Sequence, residues 1–429
     1  MTKAMTDTRS PYARRSITVE EIPWRWMPSL VFADSLPFAT LLLTLMTLRR
    51  FGLANADITF YIAVISLPIV LRPWIRLMTE RIMASPKAWI VVTELIGATS
   101  LWATGYTLQS NVWMACAIAF LTLGAISATL HSVILRDHYI GRSGGGRPGV
   151  VFRLSRAFQA LALMSGAGVL TMMGGNLEVM RRNIPYSWAS VFYLLAALTA
   201  VCCVYHLFAL PQNTEQKMEK QPAMCTSDNS AAGICVFLLT TAECLFVCIG
   251  LLFLIDAAHN GGQGLSPQEF GLAVGTTGVA ACAAGTIGTD LLLRKRGRIG
   301  KMGMFTAASV IECLLFLLMT TCTPMSLTSI IVCMVCIEVC HGTSQVVRLT
   351  ILRRHSTGEA NDTLHIHKTS AALLAAVLAL MISGTMEESM GYTAFFATIL
   401  CVCTAAATAT YLLERKENQT TADEGKSGE

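Results

Sequence analysis

The first thing this chain lacks is charge. Only 14% of its 429 residues are Asp, Glu, Lys or Arg, while 53% are hydrophobic. A water-soluble chain carries roughly 25% charged residues because its surface must be wetted, so this composition excludes an ordinary soluble domain. Segments of about ten residues with alternating polarity are also missing, which argues against a membrane barrel. The fifteen cysteines show no paired spacing in loops and read as small apolar fillers of helix interfaces, not a disulfide framework. No nucleotide motif is present. Gly144-Gly145-Gly146-Arg147-Pro148-Gly149 lacks the Lys-Ser/Thr ending and the preceding strand of a phosphate cradle, and reads as a flexible connection. Neither a Ser-His-Asp order nor paired catalytic carboxylates gather at a membrane face, so no enzyme and no cofactor is expected. The net charge of +5 is read from where the charges sit, and no nucleic-acid partner is expected from it.

What is there instead is length of apolar run. Runs fall near 26–48, 58–78, 88–108, 112–134, 154–174 and 188–209, then near 233–255, 270–293, 303–322, 326–347, 367–386 and 392–412. Each is close to the ~20 residues that cross a ~30 Å hydrocarbon layer as helix. The expected fold is an all-α membrane protein with twelve transmembrane helices. Residues 1–25 are polar and read as a cytoplasmic N-terminal segment without a cleavable leader. Residues 26–210 and 233–412 read as two six-helix bundles joined by a polar cytoplasmic linker, 211–232, with a disordered tail at 413–429.

Basic residues set the expected orientation. All but four of the 32 Lys and Arg fall on one side if both termini are cytoplasmic; the exceptions are Arg49, Arg50, Arg181 and Arg182. Positive charge is retained inside, so a multi-pass inner-membrane protein with an even number of spans is expected.

The two halves also echo each other. Gly52-Leu53 and the residues to Ile58 match Gly264-Leu265 and the residues to Phe270. Ile134-Leu135-Arg136-Asp137-His138 matches Ile351-Leu352-Arg353-Arg354-His355, and Ala33-Asp34 matches Ala242-Glu243. Two related six-helix halves are the mark of carriers that rock about a central site.

Ionisable groups at membrane depth are costly and usually face a cavity or a partner. Those here are Asp34, Glu94, His131, His206, Glu243, Glu312, Glu338, His341 and Arg348. Asp34, His131, Glu243 and Glu338 fall on helices 1, 4, 7 and 10, which line the cavity in a carrier of this type, so a polar central path is expected. Glu94 and Glu312 fall on helices 3 and 9, usually outer scaffold, and rank lower. Glu338, His341, Gln345 and Arg348 lie within ~80° of one helix face. They read either as a hydrogen-bonding wall for a polar solute or as a pairing between helices, such as Glu338 with a group on helix 4 or 11. Cys333, Cys336, Cys340 and His341 were weighed as a soft-metal site, but no Met or Cys repeat recurs at helical spacing and no metal is expected. Pro37, Pro68 and Pro73 free backbone groups within helices 1 and 2 and mark either moving bends or fixed kinks.

On these residues the chain resembles the major facilitator superfamily, and in particular the AmpG-type muropeptide permeases of Bacteroidetes-type bacteria. The resemblance runs through Phe32-Ala33-Asp34-Ser35-Leu36-Pro37, Leu67-Pro68, Arg72-Pro73-Trp74, Phe253-Leu254-Ile255-Asp256, Gly342-Thr343-Ser344 and Gly391-Tyr392. It departs where Ser35 replaces a glycine, where Glu80 stands for the acid of the loop between helices 2 and 3, and where that motif's second copy survives only around Gly285, Asp290 and Arg294. The resemblance implies proton-coupled import of a polar, sugar-containing solute, muropeptide-like or oligosaccharide, by alternating access. The expected partners are therefore a glycan-derived small molecule, protons and the bilayer. Asp34, Glu243 and Glu338 are the expected proton or substrate contacts, His131, His341 and Gln345 the hydrogen-bond donors and acceptors, and Arg72, Glu80 and Arg348 the gating or charge-pairing residues. The alternative reading is a non-transporting sensor or assembly partner on the same scaffold.

Overall fold

The computed structural model describes residues 24–81, 85–140, 148–211, 230–295, 307–355 and 363–427. These form twelve transmembrane helices in two six-helix halves. In the first half, α1 is Met27–Arg50. Helix α2 runs as Asn55–Ser66, a 3-10 turn Leu67–Leu71 and Arg72–Arg81. Helix α3 is Pro86–Thr107, α4 is Trp113–Ile134 with a π turn Leu135–Ile140, α5 is Pro148–Arg181 and α6 is Ile184–Ala209. In the second half, α7 is Ser230–Ile255, α8 is Pro267–Lys295, α9 is Ala307–Thr320 and α10 is Leu327–His355. The last helical stretch, Thr363–Ser427, breaks at Gly391 (φ 78°) into α11 (363–390) and α12 (392–427).

The sequence explains several of these boundaries. Pro68 has no N–H to give the α-helical ladder, and α2 tightens into its 3-10 turn at that residue. Ser266 and Glu269 form a capping box that starts α8: the Ser266 hydroxyl accepts from the Glu269 N–H, and the Glu269 carboxylate accepts from the Ser266 N–H. Gly52 (φ 85°) and Gly264 (φ 73°), the matched glycines of the two echoing segments, both take the left-handed backbone. That conformation suits glycine, so the internal repeat is one of geometry as well as letters.

Apolar side chains occupy both the interior and the lipid-facing perimeter. Trp102, Val201, Phe208 and Leu412 are exposed on the outside, as a bilayer-facing surface requires, and Phe192, Phe253, Phe316, Phe395 and Phe396 are buried. In the second half Phe316 stacks on Phe396 with ring centroids 5.3 Å apart.

The halves meet along α1, α2, α5, α7, α8 and α11. Helices α5 and α8 both carry π turns, Met164–Leu170 and Gly271–Gly278, and cross there at backbone contact. A Cβ placed on Gly275 would stand 2.4 Å from the Ala167 carbonyl oxygen, so only glycine permits this approach. At the end of the bundle remote from the chain termini a polar cluster ties the halves together. Arg49, at the end of α1, pairs with Asp256, just after α7. Asp256 accepts from the Tyr392 hydroxyl at 2.9 Å, and the Asn55 amide donates to Tyr392 at 2.8 Å and to Glu387 at 2.7 Å. At the opposite end Arg153 of α5 donates to Asp290 of α8 at 3.0 Å.

Candidate functional site

Each half buries an acid–imidazole–acid cluster, and the two use corresponding helices. In the first half Asp34 comes from α1, His131 from α4 and Glu94 from α3. The His131 ring places Nδ1 3.4 Å from the Asp34 carboxylate and Nε2 3.3 Å from that of Glu94. A second imidazole extends the chain: His206 of α6 lies 2.7 Å from Glu94 through Nδ1 and 2.9 Å from the Ser29 hydroxyl through Nε2. In the second half Glu243 comes from α7, His341 from α10 and Glu312 from α9. His341 places Nδ1 3.1 Å from Glu312 and Nε2 3.5 Å from Glu243. Gln345 lies one turn on, its amide nitrogen 2.8 Å from His341 Nε2, and Arg348 pairs with the other oxygen of Glu243.

Helical period is what gathers the second set. His341, Gln345 and Arg348 recur at spacings of three and four, so one stripe of α10 faces Glu243. Glu338 does not join that contact. It lies against α8, where a Cβ on Gly278 would be 3.2 Å from its Cγ, rather than against helix 4 or 11. The small residue on α8 makes room for a carboxylate that the helix-face argument had aimed elsewhere.

One ranking is corrected by the geometry. Glu94 and Glu312, ranked as scaffold, are the second acids of the two clusters, because α3 and α9 turn these positions toward α4 and α10. Arg72 has no carboxylate within ion-pair distance among the described residues. Arg76, one turn further along α2, takes Asp137 instead at 3.3 Å. The buried acids and imidazoles form one cluster in each half. Glu80 belongs to α2, and its side chain lies outside the described residues.

His206 was visible as an intramembrane histidine, but nothing local in the sequence tied it to Glu94, 112 residues away. Arg153 and Asp290 were likewise unpaired in the sequence reading.

The clusters differ in the space around them. A cavity of about 180 Å³ opens in the first half among α1, α2, α3, α4 and one residue of α6. Its polar wall is Asp34, Arg72, Glu94, His131, Ser132 and Arg136; its apolar wall includes Pro37, Phe38 and Phe120. Around Glu243 and Glu312 the space is only about 10 Å³. The first cluster borders this larger cavity, while Glu243 and His341 keep as much exposed side-chain surface as Asp34 and His131.

The architecture is the twelve-helix fold of the Major Facilitator Superfamily, and residues 154–364, just under half of the chain, match the model of that family. Several solved structures share the fold over nearly the whole chain. The nucleoside transporter NupG superposes with a TM-score of 0.65 at 13% identity, covering 92% of this chain and 99% of that one. A bacterial homologue of the human lysosomal transporter Spinster, in an inward-facing conformation, gives 0.64 at 13% identity, with 92% and 96% covered. A POT family transporter in complex with a thioalcohol-conjugated peptide gives 0.66 at 12% identity, with 91% and 95% covered. Among curated proteins no sequence matches the chain.

Proposed function

We propose that this chain is a Major Facilitator Superfamily member working as a secondary transporter, with residues 26–210 and 233–412 as its two moving halves and 211–232 as their linker. The reading is proton-coupled import of a polar, sugar-containing solute across the inner membrane, with both termini cytoplasmic. The resemblance to AmpG-type permeases supplies the solute class. The observation that carries the mechanism is the acid–imidazole–acid cluster repeated on α1, α3 and α4 and again on α7, α9 and α10.

An imidazole held between two carboxylates can take up or release a proton without leaving its site. In the first half the His131 ring borders the cavity, so a proton on it and a solute beside Asp34 occupy the same space. Asp34 and His131 are the exchange pair in this reading. Glu243, His341 and Gln345 hold the corresponding position of the second half, with Arg348 as the fixed counter-charge of Glu243. Glu338, on the α8 side of α10, is a further candidate for proton exchange. Opening at one end requires release of the Arg49–Asp256–Tyr392 cluster, and opening at the other requires release of Arg153–Asp290.

The test is uptake of labelled glycans into right-side-out and inverted vesicles under an imposed proton gradient. Asp34→Asn and Glu243→Gln should each lower gradient-driven uptake at least tenfold, with a smaller loss for Glu338→Gln. Unchanged uptake in all three variants sinks the site assignment. A purified chain that binds glycan but never moves it would favour the sensor reading.

A further inference from the structure

The cavity of the first half is lined by two arginines that form no ion pair among the described residues. Arg72 of α2 and Arg136, in the π turn that ends α4, both line it, and neither has a carboxylate within 4 Å among the described residues. The nearby acids are already engaged. Asp34 faces His131, Glu94 faces His131 and His206, and Asp137 faces Arg76.

Two guanidinium groups near one another at a cavity wall repel, and Asp34, the carboxylate that acts on both, is shared with His131. Guanidinium presents paired N–H donors in a planar fork that matches carboxylate or phosphate oxygens. The cavity is also of ligand size: ~150 Å³ suffices for a six-membered ring. Phe38, Phe120 and Pro37 give an apolar face on which such a ring can rest.

We propose that Arg72 and Arg136 form an oxyanion-recognition pair, and that the solute is an acidic one, presenting a carboxylate or phosphate to them while its ring lies against the apolar wall. This rests on the transporter reading and narrows its solute class. A neutral sugar offers the pair no oxyanion and should be rejected.

The test uses the purified full chain in detergent, with binding measured by equilibrium dialysis for glucose, glucuronate, glucose 6-phosphate and inorganic phosphate. At least one of the two acidic sugars should bind tenfold or more tightly than glucose, and which one does distinguishes carboxylate from phosphate as the recognised group. Arg72→Gln and Arg136→Gln should each cut that preference below threefold while leaving the melting temperature unchanged. Arg72→Lys, which keeps the charge but not the fork, should retain part of it. Inorganic phosphate binding as well as glucose 6-phosphate would support the anion pair and overturn the apolar seat for the ring. The proposal is overturned if glucose binds as tightly as the acidic sugars, if none of the acidic probes binds, or if both glutamine variants keep the full preference. Arginine-dependent binding without uptake in vesicles would defeat the transporter reading and leave the anion pair standing. Uptake of neutral and acidic solutes alike would do the reverse.

Discussion

The two halves place an imidazole between two carboxylates on matching helices, yet the cavity beside the first is far larger than the space beside the second. In the first half His131 borders a cavity of about 180 Å³, and two arginines lining it form no ion pair among the described residues. In the second, Arg348 pairs with Glu243, and the space beside Glu243 and Glu312 is about 10 Å³. A repeated fold thus carries two different electrostatic states. The difference lies in which helix supplies the cation and whether it reaches the acid of the first helix in its half. In this structure the first half leaves room beside its cluster, and the second pairs the acid of its first helix with a cation.

That contrast can be broken most forcefully at Arg348. Removing one partner of a buried ion pair leaves the other charge uncompensated, at a cost of about 3–5 kcal/mol. Arg348→Gln should therefore lower the melting temperature of the purified protein markedly, and Glu243→Gln added to it should recover most of the loss. A single variant as stable as the parent would mean that Glu243 and Arg348 do not rely on each other.

A middle-sized effect is expected at His206, which extends the first cluster. Its ring is fully buried between Glu94 and Ser29. His206→Phe removes the hydrogen bond to a buried carboxylate, a loss of about 1–3 kcal/mol. The same thermal melt measures it, and the double variant with Glu94→Gln should be milder than the single. If the single change is neutral, the Glu94–His206 contact contributes nothing to holding α3 against α6.

The smallest effect sharpens the comparison from the other side. Arg72 forms no ion pair among the described residues, so Arg72→Gln should change stability by less than about 0.5 kcal/mol, as for a substitution that breaks no internal network. A loss matching that at Arg348 would show that both halves use their arginines structurally.

Much of the fold was legible because the membrane constrains it so tightly. A segment without charge over about twenty residues has few alternatives to a spanning helix, since its backbone polar groups must be satisfied internally. The weak echo between Gly52-Leu53 and Gly264-Leu265 was also sound, and both glycines prove to share the left-handed backbone. Pairing Asp34 with Glu243 as counterparts likewise followed from order along the chain, whereas that of His131 with His341 came only from the structure.

The partners within each cluster were harder to read. Glu94 and Glu312 were set aside because their helices usually face outward, but the rotation of a helix about its axis is fixed by packing, not by its number. Glu338 shows the same limit. Its spacing from His341 put both on one broad face, while the small Gly278 on α8 decided which neighbour its carboxylate met.

By itself, then, the sequence determined twelve membrane-spanning helices, their grouping into two related halves and the short roster of ionisable residues they bury. Those follow from the cost of exposing peptide groups or charge to hydrocarbon, which each segment bears on its own. Only the tertiary structure decided which acid meets which imidazole, which arginines are left without a partner, and where a cavity remains. Such pairings join residues about 30 to 210 positions apart, and they depend on how helices rotate and approach one another, which local sequence does not specify.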